Sequence, residues 1–517
     1  MPDLAGTLHQ RVALHVPIAA VELFAELTGE GRRPGAVLLE SADMVAPGGR
    51  RSLVLAHPTL RLTLRGSVIR VEALDLRGES LLDEVIARIG GTRDTAEPRR
   101  VVTATAPESD TDPSHDDGTR LRSPSALDVI RSLSTLVPDD GAPVPAGMYG
   151  AINYEIVDRF ETLPPRQPDP LDEPDLHMVY ALDGIAIDHL AGEAHIVVRT
   201  LAGEGSGAAR LEEILAAFDR VRANRLALHG VAVAAPLPTR AAVVKASKPQ
   251  LGGDPDAFEA GVRTVLGHIA AGDVFQLVLS RTLEVESALA PLDAYRRLRT
   301  VNPSPYLFYI DLPDGVLLGA SPETAVKVTK GIVELRPIAG TVRRGEDEDA
   351  DARLALSLIL DPKEQAEHVM LVDLARNDVA RISVTGSRTV EGLMQIERYS
   401  HVQHLTSRVR GTLRAEFDAL HAYRACANMG TLTGSPKIRA MELIRGLEST
   451  ARGFYGGAVG YLTAGGDLDT CICIRAMRWK DGVYRARAGA GIVADSQPVR
   501  ELDETTAKAR ACLSVLS

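Results

Sequence analysis

Apolar residues recur along this chain in two rhythms. Residues 36–41 (AVLLES) and 52–55 (SLVL) are short, nearly unbroken apolar runs, which predict buried strands. Residues 59–72 (TLRLTLRGSVIRVE) alternate instead, predicting antiparallel strands with one wet face. Strand patterns return at 145–156 and 174–200, and 209–228 reads as an amphipathic helix behind a Gly-rich turn. In the second half Asp254 and Pro255 open a helix with Phe258, Val262, Val265, Leu266 and Ile269 as its stripe, and Gly272 closes it. Residues 274–285 then predict a strand, with Phe275, Leu277 and Leu279 on one face and Gln276, Val278 and Ser280 on the other. The elements lack a regular β-α-β rhythm, so the expected fold is α+β with large antiparallel sheets.

One helix carries an unusual polar face. In 361–378 (DPKEQAEHVMLVDLARND), Asp361 supplies a capping oxygen and Pro362 a preset φ for the first turn. Val369, Leu371, Val372 and Leu374 are its expected apolar contacts. Glu364 and Glu367 stand three apart, which puts two carboxylates on one face, about 4.5 Å apart in rise. Such a pair is either a solvated acidic turn or half of a cation site. A second pair, Glu501 and Glu504 in VRELDETTAKAR, has the same spacing on another predicted helix. Two such faces together could supply the few oxygens that Mg²⁺ takes while it keeps waters.

Composition narrows the field. A chain of 517 residues, 45% of them hydrophobic, can build a large core in two lobes. A net charge of −11 with no basic run argues against nucleic-acid binding. The first residues lack a basic segment ahead of an apolar run, and no run of about 20 apolar residues follows anywhere, so no membrane span and a cytoplasmic location are expected. The four cysteines are too few for a disulfide framework, and Cys471 and Cys473 read as same-face core residues of a strand. Residues 93–125 are polar, acidic and poor in large apolar side chains, and their middle is expected to be a flexible surface insertion. Pro and Gly crowd 234–256, which places a boundary near 240 between an N-terminal region, 1–240, and a second region, 241–517.

Other motifs are weaker taken singly. AGAGI (488–492) puts two glycines where backbone amides could approach a carboxylate, although a tight turn is the default reading. Arg475 on a preceding strand and Lys508 one turn beyond Glu504 add weight to it. GSPK (434–437) lacks the spacing of a phosphate loop, and no GxSxG or HExxH occurs. His404, in YSHVQHLTSRV, is a possible base.

Taken in order, LLGASPE, RPIAGTVRRG, EHVMLVDLARND, HAYRACANMGTLTGSPKIRAME, YGGAVGY and AGAGIVADS resemble the chorismate-utilising enzyme family over essentially all of 255–513. LLESAD (38–43) and NPSPY (302–306) resemble the tryptophan-binding elements of its enteric-type, anthranilate-forming branch. The resemblance implies an α/β sandwich whose halves wrap a deep cleft. It implies Mg²⁺ held by Glu367 and Glu504 with support from Glu364 and Glu501. It implies that Arg475, Tyr455 and the amides of Gly489, Ala490 and Gly491 grip the carboxylates of chorismate, with Lys508 assisting. Glu323 matches the acid that protonates the departing C4 hydroxyl, Thr341 and Thr431 line the site, and His404 serves the loss of pyruvate. Glu40 and Ser41 match positions that contact tryptophan as an inhibitor, with Pro305 and Tyr306 opposite. Arg51 and Leu307 stand there where Lys and Met are usual.

Two positions discriminate within the family. Its aminodeoxychorismate synthases carry a nucleophilic Lys where this chain has Ala339, and its isochorismate synthases carry a water-activating Lys where this chain has Gln276. Neither residue here can play that part, so ammonia at C2 is the expected nucleophile. No segment resembles a glutaminase, so a separate glutamine amidotransferase subunit is the expected source of ammonia. An alternative remains within the family, a synthase that stops at the aminated intermediate, since Thr433 and Ser435 depart from the enteric pattern. An inactive tryptophan-sensing chain is disfavoured, because it would have no use for both ExxE pairs, Glu323 and Arg475 together.

Overall fold

The structure is a computed structural model that describes residues 4–14, 18–41, 51–112, 114–205, 207–229, 254–398 and 402–516. Two antiparallel sheets organise it. The first has eleven strands among the described residues. It runs from Leu4–Ala13 through Glu193–Leu201, Gly184–Asp188, Arg51–Leu55 and Val37–Glu40. It then continues through Tyr306–Leu312, Gly315–Ser321, Ala476–Lys480, Val483–Ile492 and Gln276–Glu286 to Gly434–Ser435. The second, of thirteen, begins with Ile338–Arg343, Val402–Thr412 (which Thr389–Arg398 also pairs), Ile332–Leu335, Thr324–Thr329, Leu468–Ile472 and Ala458–Thr463. It passes at Gly147–Ile152 into strands of the first half and ends at Thr92–Arg93.

Alternation of side chains explains why these sheets stack. Val37, Phe308, Ile310 and Leu317 of the first sheet meet Tyr149, Val179, Val459 and Cys471 of the second in one dry cluster. The outer face of the first sheet is covered by helices such as Ala20–Thr28 and Pro291–Val301, and that of the second by Leu76–Ile89, Pro362–Ala380 and Ala419–Cys426. The result is the expected α/β sandwich. Cys471 and Cys473 lie in the layer between the sheets, and all four cysteines are buried and free.

Local signals locate the helices well. Asp254 caps Pro255–Ala271 and Gly272 ends it in the left-handed region, at φ 83°. Asp361 accepts from the amides of Lys363 and Glu364 at the start of Pro362–Ala380. The buried stripe of that helix is His368, Leu371, Val372, Ala375, Asp378 and Val379. Val369 stands one position off this 3–4 repeat and is 48% exposed, contrary to the packing role expected for it. The strand expected at 274–285 begins at Gln276, and Phe275 lies beyond it, 72% exposed where the sheet ends at Gly434–Ser435.

The stretch 93–125 is not wholly an insertion. Val101–Thr105 pairs with Val68–Ala73, and Val101 and Val102 are completely buried. Asp117–Arg122 is a helix capped by Asp116, with Leu121 in the core. Two valines suffice at a sheet end, where the rest of the strand can stay polar. The boundary near 240 falls in 230–253, outside the described residues. On either side of it the halves share both sheets: Val37–Glu40 pairs with Tyr306–Leu312, and Gly147–Ile152 with Ala458–Thr463. Among the described residues no helix is long and apolar enough to cross a membrane.

Candidate active site

The two ExxE faces, on Pro362–Ala380 and Pro498–Leu513, act on each other. Burial raises the Glu367 carboxyl above its ordinary value, and repulsion from Glu364 and Glu504 adds to it. Glu364 is raised by burial first, then by Asp361 and Glu504. Glu501 is raised by burial, with Glu504 again contributing. The Lys508 ammonium, 2.5 Å from Glu504, also donates to the Gly489 carbonyl at 3.0 Å. Among the described residues no three His, Cys, Asp or Glu side chains are spaced to hold a metal ion.

Lys508 leads to the glycine pair. Gly489, Ala490 and Gly491 are not in a turn but in mid-strand, opposite Ser280, Leu279 and Val278. A Cβ on Gly489 would stand 2.6 Å from the Tyr455 hydroxyl, and one on Gly491 would stand 2.8 Å from Gln276 Nε2. The missing side chains let those two groups lie directly on the strand. Gln276 is buried and its carbonyl oxygen has no hydrogen-bond partner, which costs about 1–3 kcal/mol unless a ligand donates to it.

Glu323 sits between Gly315–Ser321 and Thr324–Thr329. Burial pushes its carboxyl up to about 7, against the opposing pull of Thr431 and of the Arg475 and Lys508 charges. Arg475 is not on a strand as expected. It occupies the bend between Leu468–Ile472 and Ala476–Lys480 in the left-handed region, at φ 51°, a strained setting for a side-chain-bearing residue. Its charge also reaches His404 and Tyr455, which makes it the electrostatic centre of the site.

His404 lies opposite Thr341 in the ladder, and burial lowers its pKa, keeping the ring neutral. Its Nδ1 is 3.1 Å from the Gly340 carbonyl and 3.0 Å from the Thr341 hydroxyl. A carbonyl only accepts, so Nδ1 carries the proton and the lone pair is on Nε2. Gly340 has φ 64°, and a Cβ there would stand 2.8 Å from a Glu364 oxygen. The strand beside that of His404 and the acidic helix therefore meet at this glycine, whose carbonyl His404 reaches.

Sequence reasoning missed the support beneath Tyr455. Glu448 and Arg452 are 1% exposed and joined at 2.7 Å, and Arg487 reaches the other Glu448 oxygen at 2.7 Å. Burial pushes the Glu448 carboxyl up, but the two guanidinium groups outweigh it and its pKa is net lowered. Glu448 also accepts from the backbone and hydroxyl of Ser280, and Arg452 stacks over Tyr154 and Tyr455. The only signal in the sequence was an i,i+4 Glu–Arg spacing, which on most helices is an exposed pair. Lys437 of GSPK is committed to an ion pair with Asp378 at 2.9 Å. Thr433 is fully buried with its hydroxyl on the Asn428 and Met429 carbonyls, turned to the backbone.

The remaining six residues line a second cavity of about 620 Å³. Glu40, Ser41, Arg51, Pro305, Tyr306 and Leu307 all border it. Glu40 is saturated by Tyr295 (2.8 Å) and Arg299 (3.1 Å to each oxygen), with Ser52 at 3.3 Å. Arg51 reaches Asp188 at 3.5 Å and is largely exposed.

Residues 90–514 match the family described as chorismate binding enzyme. The chain belongs to that family. It is 41% identical over 507 residues to anthranilate synthase component 1 of Escherichia coli (strain K12), covering 96% of this chain and 94% of the relative. It is 40% identical over 496 residues to the pyocyanine-specific anthranilate synthase component 1 of Pseudomonas aeruginosa, covering 93% and 90%. The crystal structure of anthranilate synthase component I from Streptococcus pneumoniae TIGR4 superposes with a TM-score of 0.67 at 30% identity, over 97% of this chain and 99% of that one. A menaquinone-specific isochorismate synthase from Escherichia coli, at 18% identity and a TM-score of 0.62 over 100% and 96% of the chains, shows the fold alone. The chain is thus a chorismate-utilising enzyme of the lyase type, and the branch resemblance read from its blocks is matched by these relatives.

Proposed function

We propose that the chain converts chorismate and ammonia to anthranilate and pyruvate, in the cytoplasm. What supports this reading is Glu323, a carboxyl buried where the chain passes from one sheet to the other and held near neutrality by that burial against the Arg475 and Lys508 charges. A group held at about 7 can be protonated at working pH and still give up its proton. In the proposed first step Glu323 gives that proton to the C4 hydroxyl as it leaves, while ammonia bonds to C2. Arg475, Tyr455 and the amides around Gly489 and Gly491 orient the carboxylates of chorismate. Ala339 and Gln276 supply no competing nucleophile or water-activating base. In the second step the Nε2 lone pair of neutral His404 takes the C2 proton as enolpyruvate departs and the ring becomes aromatic.

Glu364, Glu367, Glu501 and Glu504 fit a small dication by donor chemistry: hard oxygens whose shared repulsion a positive ion would relieve. Bound there, Mg²⁺ would hold the ring carboxylate and draw electrons from the ring. Ammonia is supplied by a glutamine amidotransferase subunit, in keeping with relatives named as a first component. The second cavity is read as a tryptophan site for feedback inhibition. The test is product analysis by mass spectrometry with chorismate, Mg²⁺ and ammonium. Anthranilate and pyruvate in equal amounts are expected; accumulation of the aminated intermediate alone would replace this reading with the shorter reaction.

A further inference from the structure

A hydrogen bond joins the second cavity to the Glu323 region, and Arg336 borders the cavities on both sides of it. Tyr306 borders the large cavity, and Thr324 borders a small cavity that Glu323 and Thr431 also line. The Tyr306 hydroxyl lies 3.0 Å from Thr324 Oγ1 and 3.0 Å from Asp469 Oδ1. A phenol has one proton to give, and a carboxylate only accepts. Tyr306 therefore donates to Asp469, and Thr324 donates to Tyr306. Asp469 is in turn paired with Lys327 at 2.8 Å, and both border the large cavity. The chain of bonds has one direction, from beside Glu323 out to a charged pair on the cavity wall.

Its inner end grips Glu323 from both sides. Tyr306 is opposite Ser321 in the ladder of the first sheet. Ser321 Oγ accepts from the Glu323 amide at 3.3 Å, and the Glu323 carbonyl accepts from Ile472 at 3.0 Å. Thr324, the next residue, pairs with Cys471 in the second sheet. Glu323 thus sits where the chain crosses from one sheet to the other, and the Tyr306–Thr324 bond ties that crossing shut.

We infer that the Tyr306–Thr324 hydrogen bond couples the large cavity to the general acid, with Thr324 as a positioning residue for Glu323. The inference rests on reading the cavity as the tryptophan site. The ammonium of a bound amino acid competes for Asp469; Tyr306 loses its acceptor and turns, Thr324 loses Tyr306, and the Glu323 crossing is released from its working position. A ligand can inhibit this way only through its different affinity for the two arrangements, so the coupling is reciprocal.

The experiment compares the wild-type chain with Thr324→Val, which keeps the β-branched shape and removes the donor, and Thr324→Ser, which restores it. Tryptophan binding is measured by calorimetry, and ammonium-dependent turnover at saturating tryptophan is expressed relative to the uninhibited rate of each variant. Thr324→Val is expected to bind tryptophan at least as tightly as wild type, since the bond that binding must break is already gone, while its residual rate at saturation rises at least about tenfold, the usual scale of a coupling between sites. Thr324→Ser is expected to remain inhibited. Inhibition of Thr324→Val as complete as that of wild type, with tryptophan bound, overturns the inference and leaves the cavity reading standing. Absence of tryptophan binding to wild type at millimolar concentration overturns the cavity reading, and the inference with it. Should Thr324→Val fail to fold, Tyr306→Phe breaks the same bond from the other side. Its residual rate at saturation must then rise even where binding weakens, and an unchanged residual rate overturns the inference.

Discussion

Replacing Glu323 with Gln separates the role of this residue in the reaction from its cost to the fold. Moving a carboxyl from its ordinary 4.5 to about 7 disfavours its ionised form by about 3 kcal/mol in the folded state. Below pH 4.5 the group is neutral in folded and unfolded chains alike and contributes nothing. Between 4.5 and 7 the folded chain holds the proton more tightly, so stability falls as pH rises; above 7 the full cost of about 3 kcal/mol is present. Glu323→Gln carries no charge at any pH and escapes this cost. Urea unfolding is therefore expected to show the variant equal to wild type near pH 4 and more stable by up to about 3 kcal/mol at pH 8. In the same variant, turnover should drop by about 10²–10⁴-fold, because an amide cannot deliver a proton. The wild-type rate should decline above pH 7, where only about a tenth of the molecules keep the proton by pH 8, and the variant should lose that decline. A stability difference that does not change with pH, or a variant with the same alkaline limb as wild type, would refute the reasoning.

Other outcomes follow from the same geometry. Glu504→Gln should abolish turnover with the far-ultraviolet circular dichroism unchanged, and EDTA should do the same to wild type; full activity in EDTA would remove Mg²⁺ from the account. His404→Met should let chorismate disappear while the aminated intermediate builds up on chromatography, since only the second step uses Nε2; equal loss of both steps would assign the ring to the first. Arg452→Met leaves Glu448 buried with one guanidinium fewer and should cost about 3–5 kcal/mol in denaturant titration, with an effect below 1 kcal/mol showing that Arg487 alone suffices. The purified chain should turn over ammonium but not glutamine, as a coupled assay for glutamate would reveal.

Features encoded within a few residues were legible in advance. The Asp254 and Asp361 caps, the glycine stop at 272 and the 3-residue spacing of each Glu pair are local events, and the alternation at 59–72 is a local period. The two Glu pairs could be matched by their spacing, but that their charges act on one another depends on where the fold sets the helices at 362–380 and 498–513, which local pattern does not encode. Arg475 was placed on a strand because nothing in TCICIRAMRW announces a left-handed residue. Glu448 and Arg452 went unmarked because burial is a property of what covers a residue, here Ser280, Arg487 and two tyrosines. The strand at 101–105 hid in polar surroundings, where two valines make too short a pattern to register.

The interleaving of the halves has a consequence for how the protein is made. As synthesis proceeds from the N-terminus, Val37–Glu40 and Gly147–Ile152 leave the ribosome long before Tyr306–Leu312 and Ala458–Thr463, the strands that complete their ladders. Until then each half-sheet bares a row of unpaired amides and carbonyls along an apolar strand, a template for pairing with the wrong chain. The chain therefore does not mature module by module. The first half must wait, shielded, for the second, and a fragment cut near 240 would inherit two sticky edges in place of an independent domain.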